Sequence, residues 1–293
     1  MMGLFYTFLC SVIAAFYFIC NDIFKIRGDV FIFWRSLFAF LVLLPFVVFL
    51  EWNEGLLFYC GVAAAGIAAA IGDMISFNAS RHYSAAAISR VAQFRNVLLF
   101  FVWPLIVTGY WDRLTSNPYV FWISLVLIFI SSIALLRMRR NAVSVNVIWA
   151  TLPVIIFIGI SDVFFSLSMN GIPSFELVFK LAFVFSAVMF LTAGIWLLGN
   201  RFIGRPVGLM NGRWAIAGAI NGILFILIVA TKGLSLSYLE NPGLFGAIFS
   251  VYSLWLYLLH KYWMKQDDPS DPKLGFVVVV CGIGLGIVSA YIP

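Results

Sequence analysis

The chain has 293 residues, 63% hydrophobic and 10% charged, with a mean hydropathy of +1.06. Soluble domains carry about 25% charged residues, so a water-soluble globule is excluded and a single integral membrane domain is indicated. The net charge of +6 is spread over short loops with no basic face or tail, which argues against a nucleic-acid partner.

A helix needs about 20 apolar residues to cross a bilayer. Ten segments meet that need: 3–21, 30–50, 56–79, 84–107, 118–137, 146–168, 175–199, 213–231, 239–262 and 274–292. The opening run MMGLFYTFLCSVIAAFYFIC lacks a basic start and a small-residue cleavage site, so we expect a retained first span rather than a signal peptide. It carries Tyr17 and closes on Asn21 and Asp22.

The second span brings Arg35. The third presents Gly61, Ala65, Ala69 and Gly72 on one face, a pattern for close helix packing. Asp73 follows, with Ser76 one turn on. An ionised group in hydrocarbon costs about 2.5–3.5 kcal/mol on insertion scales and persists when paired, facing water or snorkelling. We expect Asp73 to pair with an arginine of the fourth span or to carry a coupling proton.

The fourth span, SAAAISRVAQFRNVLLFFVWPLIV, holds Arg90, Gln93, Arg95 and Asn96. At 100° per residue Ser89, Arg90, Gln93 and Asn96 form one polar stripe, and Arg95 points elsewhere. We expect that stripe to line water and to bind a substrate's anionic and polar groups. Trp103 completes the span's polar side chains.

In the second half, Asp162 ends a polar break, GISDVFF, and reads as an interfacial cap. Lys180 sits early in the seventh span, as Arg35 does in the second. Asn241 and Pro242 read as the N-cap and first helical position of the ninth span, and Glu240 is placed opposite the Arg90 end of a cavity. Tyr252 and Tyr257 lie inside that span. Trp111, Trp122, Trp214 and Trp263 fall near span ends, as interfacial anchors do.

Cys10, Cys20, Cys60 and Cys281 have neither metal spacing nor a disulfide framework. His82 and His260 stand alone in sequence. GIGLG at 282–286 has no strand before it and is no nucleotide loop. No metal and no cofactor is expected.

Counting Lys and Arg in alternate loops gives twelve on one side against Arg113 and Lys232 on the other. The basic side is expected to be cytoplasmic, which puts both termini outside. FWRSLFAFLV at 33–42 is similar to VFKLAFVFSA at 178–187, setting Arg35 against Lys180, and ASRHYS at 79–84 is similar to ATKGLS at 230–235. Five spans per half is odd, so two such halves are inverted. Inverted repeats are a transporter architecture with the substrate site between them.

The arginine of FWRSL at 33–37, the turn YSAAAIS at 83–89, the matching turn LSLSYLENP at 234–242 and the short loops together resemble the ten-span branch of the drug/metabolite transporter superfamily with paired EamA-type repeats. The resemblance implies an all-α membrane protein. Two five-helix repeats, 1–140 and 141–293, would enclose a central cavity, with spans five and ten at the periphery. It also implies cytoplasmic termini, so the charge count makes this chain inverted relative to such relatives.

We therefore expect a secondary transporter rather than an enzyme. It would move a small polar metabolite bearing a carboxylate or phosphate by alternating access, in a bacterial inner membrane. The bilayer and the substrate are its partners, and a homodimer is compatible with the pattern. The site expectation comprises Arg90, Gln93, Asn96, Arg95, Ser76, Tyr17, Trp103 and Tyr252 for substrate. Asp73, Glu240, Arg35 and Lys180 are expected to serve in coupling or ion pairing. An intramembrane enzyme acting on a lipid-linked group, or a channel or assembly subunit, is the alternative.

Overall fold

The computed structural model describes residues 2–24, 26–83, 88, 91–138, 145–169, 174–204, 212–265, 271–289 and 291. Among them the chain is helical, with no strand. The helices are α1 (Met2–Phe24), α2 (Gly28–Val47), α3 (Leu56–Tyr83), α4 (Phe94–Ile106), α5 (Tyr110–Ser116), α6 (Pro118–Arg137), α7 (Val145–Ser168), α8 (Phe175–Phe202), α9 (Gly212–Leu239), α10 (Pro242–Phe249), α11 (Tyr252–Tyr262) and α12 (Pro272–Ser289). Nine segments among the described residues are long and apolar enough to cross a bilayer, with α10 and α11 forming one of them. A tenth is present if α4 and α5 count together across a 116° bend. This is an integral, multi-pass membrane protein.

The distribution of side chains inverts that of a soluble domain. Large apolar residues such as Phe46, Leu105, Ile195 and Phe202 face outward, and Arg35, Asp162, Lys180 and Asn221 are buried. Lipid solvates the first set, and helix-to-helix polar contacts satisfy the second. Thr7 and Ser235 are hydrogen-bonded at 2.5 Å between α1 and α9, and the Trp255 indole donates to Ser11 at 3.0 Å between α11 and α1.

Local sequence sets the breaks. Asn117 and Asn241 each accept backbone N–H groups at a helix start, with proline at the first position. That is the expected role of Asn241. Gly109, at φ 77°, turns the chain between α4 and α5. Two expected spans depart from a continuous helix. The fourth is interrupted at Gln93 before α4 begins, and the ninth is interrupted at Ser250 and Val251.

Packing follows the small residues. Gly61 and Gly72 of α3 lie against Ser168 and Ile158 of α7. Gly218 and Gly222 of α9 lie against Trp34, Arg35, Phe38 and Ala39 of α2. Gly243 and Gly246 of α10 admit Phe100 and Asn96 of α4. The glycines of GIGLG serve the same purpose, with Gly284 near Leu127 and Gly286 near Leu4. The main contacts are α3 on α7, α1 on α9, α2 on α8, α2 on α9, α3 on α8, α6 on α12 and α4 on α10.

One boundary differs from expectation with consequence. α9 runs on to Leu239, where the sequence was expected to leave the bilayer at 231. Lys232 is therefore inside a span rather than in a loop, and it drops out of the topology count.

Candidate functional site

A cavity of about 170 Å³ lies within the bundle. Its lining comes from α1, α2, α3, the entry to α4, and α7 through α11, with nothing from α6 or α12. Two charged centres face it.

The first centre is built by α1, α2 and α3. The Arg35 side chain is 1% exposed, and its Nη1 donates to Asp73 Oδ2 at 3.0 Å and to the Tyr17 hydroxyl. Its guanidinium carbon lies 4.1 Å from the centroid of Phe225. Arg35 and Asp73 are one cation and one carboxylate, and the ring beneath them adds a cation–π contact.

The second centre joins α4, α7 and α9. Lys232 Nζ donates to Asp162 Oδ1 at 2.5 Å and stands 4.4 Å from the Phe165 centroid. Arg95 Nε lies 3.2 Å from Asp162 Oδ2. That approach has ion-pair distance without hydrogen-bond angle, so the buried Nε–H of Arg95 makes no hydrogen bond. Here two cations share one carboxylate.

Between the centres, Gln93 Nε2 donates to the Tyr252 hydroxyl at 3.1 Å. Gln93 Oε1 accepts from Asn96 Nδ2 at 2.8 Å.

Of the residues expected at the site, Tyr17, Arg35, Asp73, Ser76, Gln93, Arg95 and Tyr252 line this cavity together. Arg90 and Ser89 lie outside the described residues. Asn96 is buried but turned to α10, where a Cβ on Gly246 would overlap its carboxamide. Arg95, expected on another face, points inward. Gln93 keeps right-handed helical backbone angles and Asn96, one turn on, donates to it, so these two share a face as expected, while Arg95 reaches Asp162 of α7. Trp103 and Tyr257 are buried and outside the lining.

Asp73 pairs with Arg35 of α2, which packs beside α3; of the fourth-span arginines, Arg95 meets Asp162 and Arg90 lies outside the described residues. Glu240 leaves the cavity altogether. It is half exposed and meets Arg113 at 3.0 Å. Lys180 is ion-paired, with Glu54 at 3.0 Å and Glu176 at 2.7 Å, at the start of α8 and away from the cavity lining.

Asp162 and Lys232 were not among the expected site residues. Lys232 was discounted because the span was ended at 231, although the apolar run GLSLSYL continues past it. Asp162 was read as a cap because a short polar break flanks it. Among the described residues no cluster of three metal-ligating side chains occurs.

No protein-family model and no curated protein matches the chain. Among solved structures, one described only as the crystal structure of a protein is similar over 98% of this chain and 96% of its own, with a TM-score of 0.67 at 12% identity. That likeness shows a shared fold.

Proposed function

We propose that the chain is a secondary transporter that moves a small polar metabolite bearing a carboxylate or phosphate by alternating access. The observation that carries this reading is the cavity itself. Buried charges in the middle of a lipid-facing bundle are costly unless they serve a path or a site. Here three cations and two carboxylates among the described lining residues converge on one cavity.

The helix contacts support two inverted five-helix repeats, 1–140 and 141–293. Number the spans one to ten and exchange each with the span five away. The third-on-sixth contact (α3 on α7) becomes eighth-on-first (α9 on α1), and both are extensive. The third-on-seventh contact (α3 on α8) becomes eighth-on-second (α9 on α2), again both present. Second-on-seventh, fourth-on-ninth and fifth-on-tenth map onto themselves. A lining that omits spans five and ten accords with the resemblance to the drug/metabolite transporter superfamily. We further propose a bacterial inner-membrane location with both termini outside, from the charge count.

Counterflow in proteoliposomes tests the reading. Radiolabelled carboxylates and phosphate esters are expected to enter faster when the same compound is trapped inside. An enzyme or channel would show no stimulation by internal substrate, and that result across the panel overturns the proposal.

A further inference from the structure

Resting on the transporter reading of the cavity, we propose that the contact between α4 and α10 is the route by which the cavity reaches the surface at Arg113 and Glu240. It is shut in this structure, and water and substrate line it when the two helices part. Three features of that contact point there.

The first is a seam of polar atoms that the closed contact leaves unsatisfied. It starts at the cavity, where Gln93 is part of the wall and accepts from Asn96 Nδ2. The other end of that carboxamide, Asn96 Oδ1, is buried without a hydrogen-bond partner. Seven residues on, and so on the same face of α4, the buried indole N–H of Trp103 also lacks one. Past the bend, the Tyr110 hydroxyl and Asn241 Nδ2 lie close without hydrogen-bond geometry, and both are unsatisfied. Beyond them the seam meets the exposed pair. Arg113 lies 5.1 Å from the Tyr110 ring centroid, and its partner Glu240 immediately precedes Asn241. None of Asn96, Trp103, Tyr110 and Asn241 is more than 4% exposed. A buried polar group without a partner is costly, and inside a membrane such groups mark paths that water enters. A seam made only to stay shut has no use for polar atoms at these four places.

The second feature is how the contact is held. Gly243 and Gly246 bring α10 against the Phe100 backbone and the Asn96 carboxamide, with no room for a Cβ. Among the described residues no hydrogen bond or ion pair joins α4 to α10. The contact is close packing alone, so parting it breaks no polar bond and gives the four orphaned atoms access to water.

The third is that α10 is a separate piece. It is eight residues long, with the Asn241–Pro242 cap at one end and the interruption at Ser250 and Val251 at the other. Its span is 67% buried, against 44% or less for each other candidate span among the described residues. Chain breaks at element ends absorb the backbone change when a segment moves.

Cross-linking tests the route in the full-length protein, with the four native cysteines replaced by alanine. A Cβ on Gly246 would meet the Asn96 carboxamide first, and a cysteine at 96 removes that group. Asn96→Cys with Gly246→Cys therefore sets two thiols across the seam. Pyruvate, succinate and glycerol 3-phosphate are the counterflow probes in proteoliposomes. Oxidation is expected to join the thiols and to bring counterflow down to that of protein-free vesicles, and reduction of the same protein should raise it again. Spin labels at Ser116 and Tyr238, both exposed and on opposite sides of the seam, give a second measurement should that variant unfold. Their separation by electron–electron resonance is expected to gain a longer component when an exchanged probe is added. Undiminished counterflow by the fully cross-linked protein, failure of the thiols to join, or a single unchanging label separation overturns the route and leaves the transporter. Two label separations without counterflow of any probe by the wild type remove the transporter and leave the moving seam.

Discussion

The two charged centres of the cavity differ in balance, and the difference assigns them different work. At Arg35 and Asp73 one cation meets one carboxylate, with Tyr17 as a further partner and Phe225 beneath. The charges balance there, although the buried Arg35 Nε–H makes no hydrogen bond. At Arg95, Asp162 and Lys232 two cations share one carboxylate, and Arg95 Nε, like Arg35 Nε, makes no hydrogen bond. On the proposed transporter reading, the balanced pair holds helices together and the unbalanced one holds a place for a ligand. Lys180 extends the lesson. It matches Arg35 in the similarity between residues 33–42 and 178–187, yet two glutamates pair with it and it is not among the described lining residues. A matching position in two similar segments does not carry a role; the neighbouring residues decide it.

The largest effect is expected from unbalancing the first centre. Asp73→Asn leaves Arg35, 1% exposed, without its counter-charge. Breaking a buried pair from one side costs about 3–5 kcal/mol. The thermal unfolding temperature in detergent should fall sharply, and transport should fail with it. The double variant Arg35→Met with Asp73→Leu removes both charges and should recover much of that loss, because apolar replacements of buried pairs are often neutral or better. If Asp73→Asn unfolds like the wild type while gradient-driven transport alone disappears, the first centre is a coupling site and not a clamp.

The sequence made the membrane class legible, along with nine of the spans and several cavity residues, because charge and polarity stand out against apolar runs. Arg35, Asp73 and Gln93 are visible for that reason alone. Their partners were not visible. Periodicity gives the face of one helix and says nothing about which other helix packs there, so Arg35 of α2 was not foreseen as a partner of Asp73. The same limit hid the Asp162 of α7 that Arg95 meets and the close approach of α10 that takes up Asn96. Lys232 was lost to a boundary set eight residues short of Leu239. The rings beneath Arg35 and Lys232 could not be picked out either, since 31 phenylalanines offered too many candidates.

An intermediate effect is expected at the second centre. Lys232→Met removes one of two cations, and Asp162 keeps Arg95 at 3.2 Å. Stability should change little. A hydrogen bond to a charged group is worth about 1.5–3 kcal/mol, so binding of an exchanged anion should weaken by about 10- to 150-fold. Lys232→Arg keeps the charge with a different shape and should rescue partly. Titration calorimetry of each variant beside its unfolding curve separates the two quantities. Unaltered affinity in Lys232→Met would place the anion elsewhere and erase the contrast between the centres.

The smallest effect is expected outside the cavity, at the pair the sequence had placed within it. Glu240 and Arg113 are 49% and 40% exposed at their side chains and 3.0 Å apart. Exposed pairs contribute about 0–1 kcal/mol. Glu240→Gln should therefore lower stability only slightly, should leave anion affinity unchanged, and should differ less from the wild type in high salt, which screens the pair. The backbone supplies an internal control. Glu240 holds a left-handed φ of 54° between α9 and α10, a conformation that costs a non-glycine residue about 1–2 kcal/mol. Glu240→Gly deletes the same charge and relieves that cost, so it should be at least as stable as the wild type. Two variants that lose one ion pair would then move in opposite directions, which no cavity role for the carboxylate predicts. If both instead lose anion binding by the same factor, Glu240 acts on the cavity despite its exposure, and the line drawn between interior and surface charge must be moved.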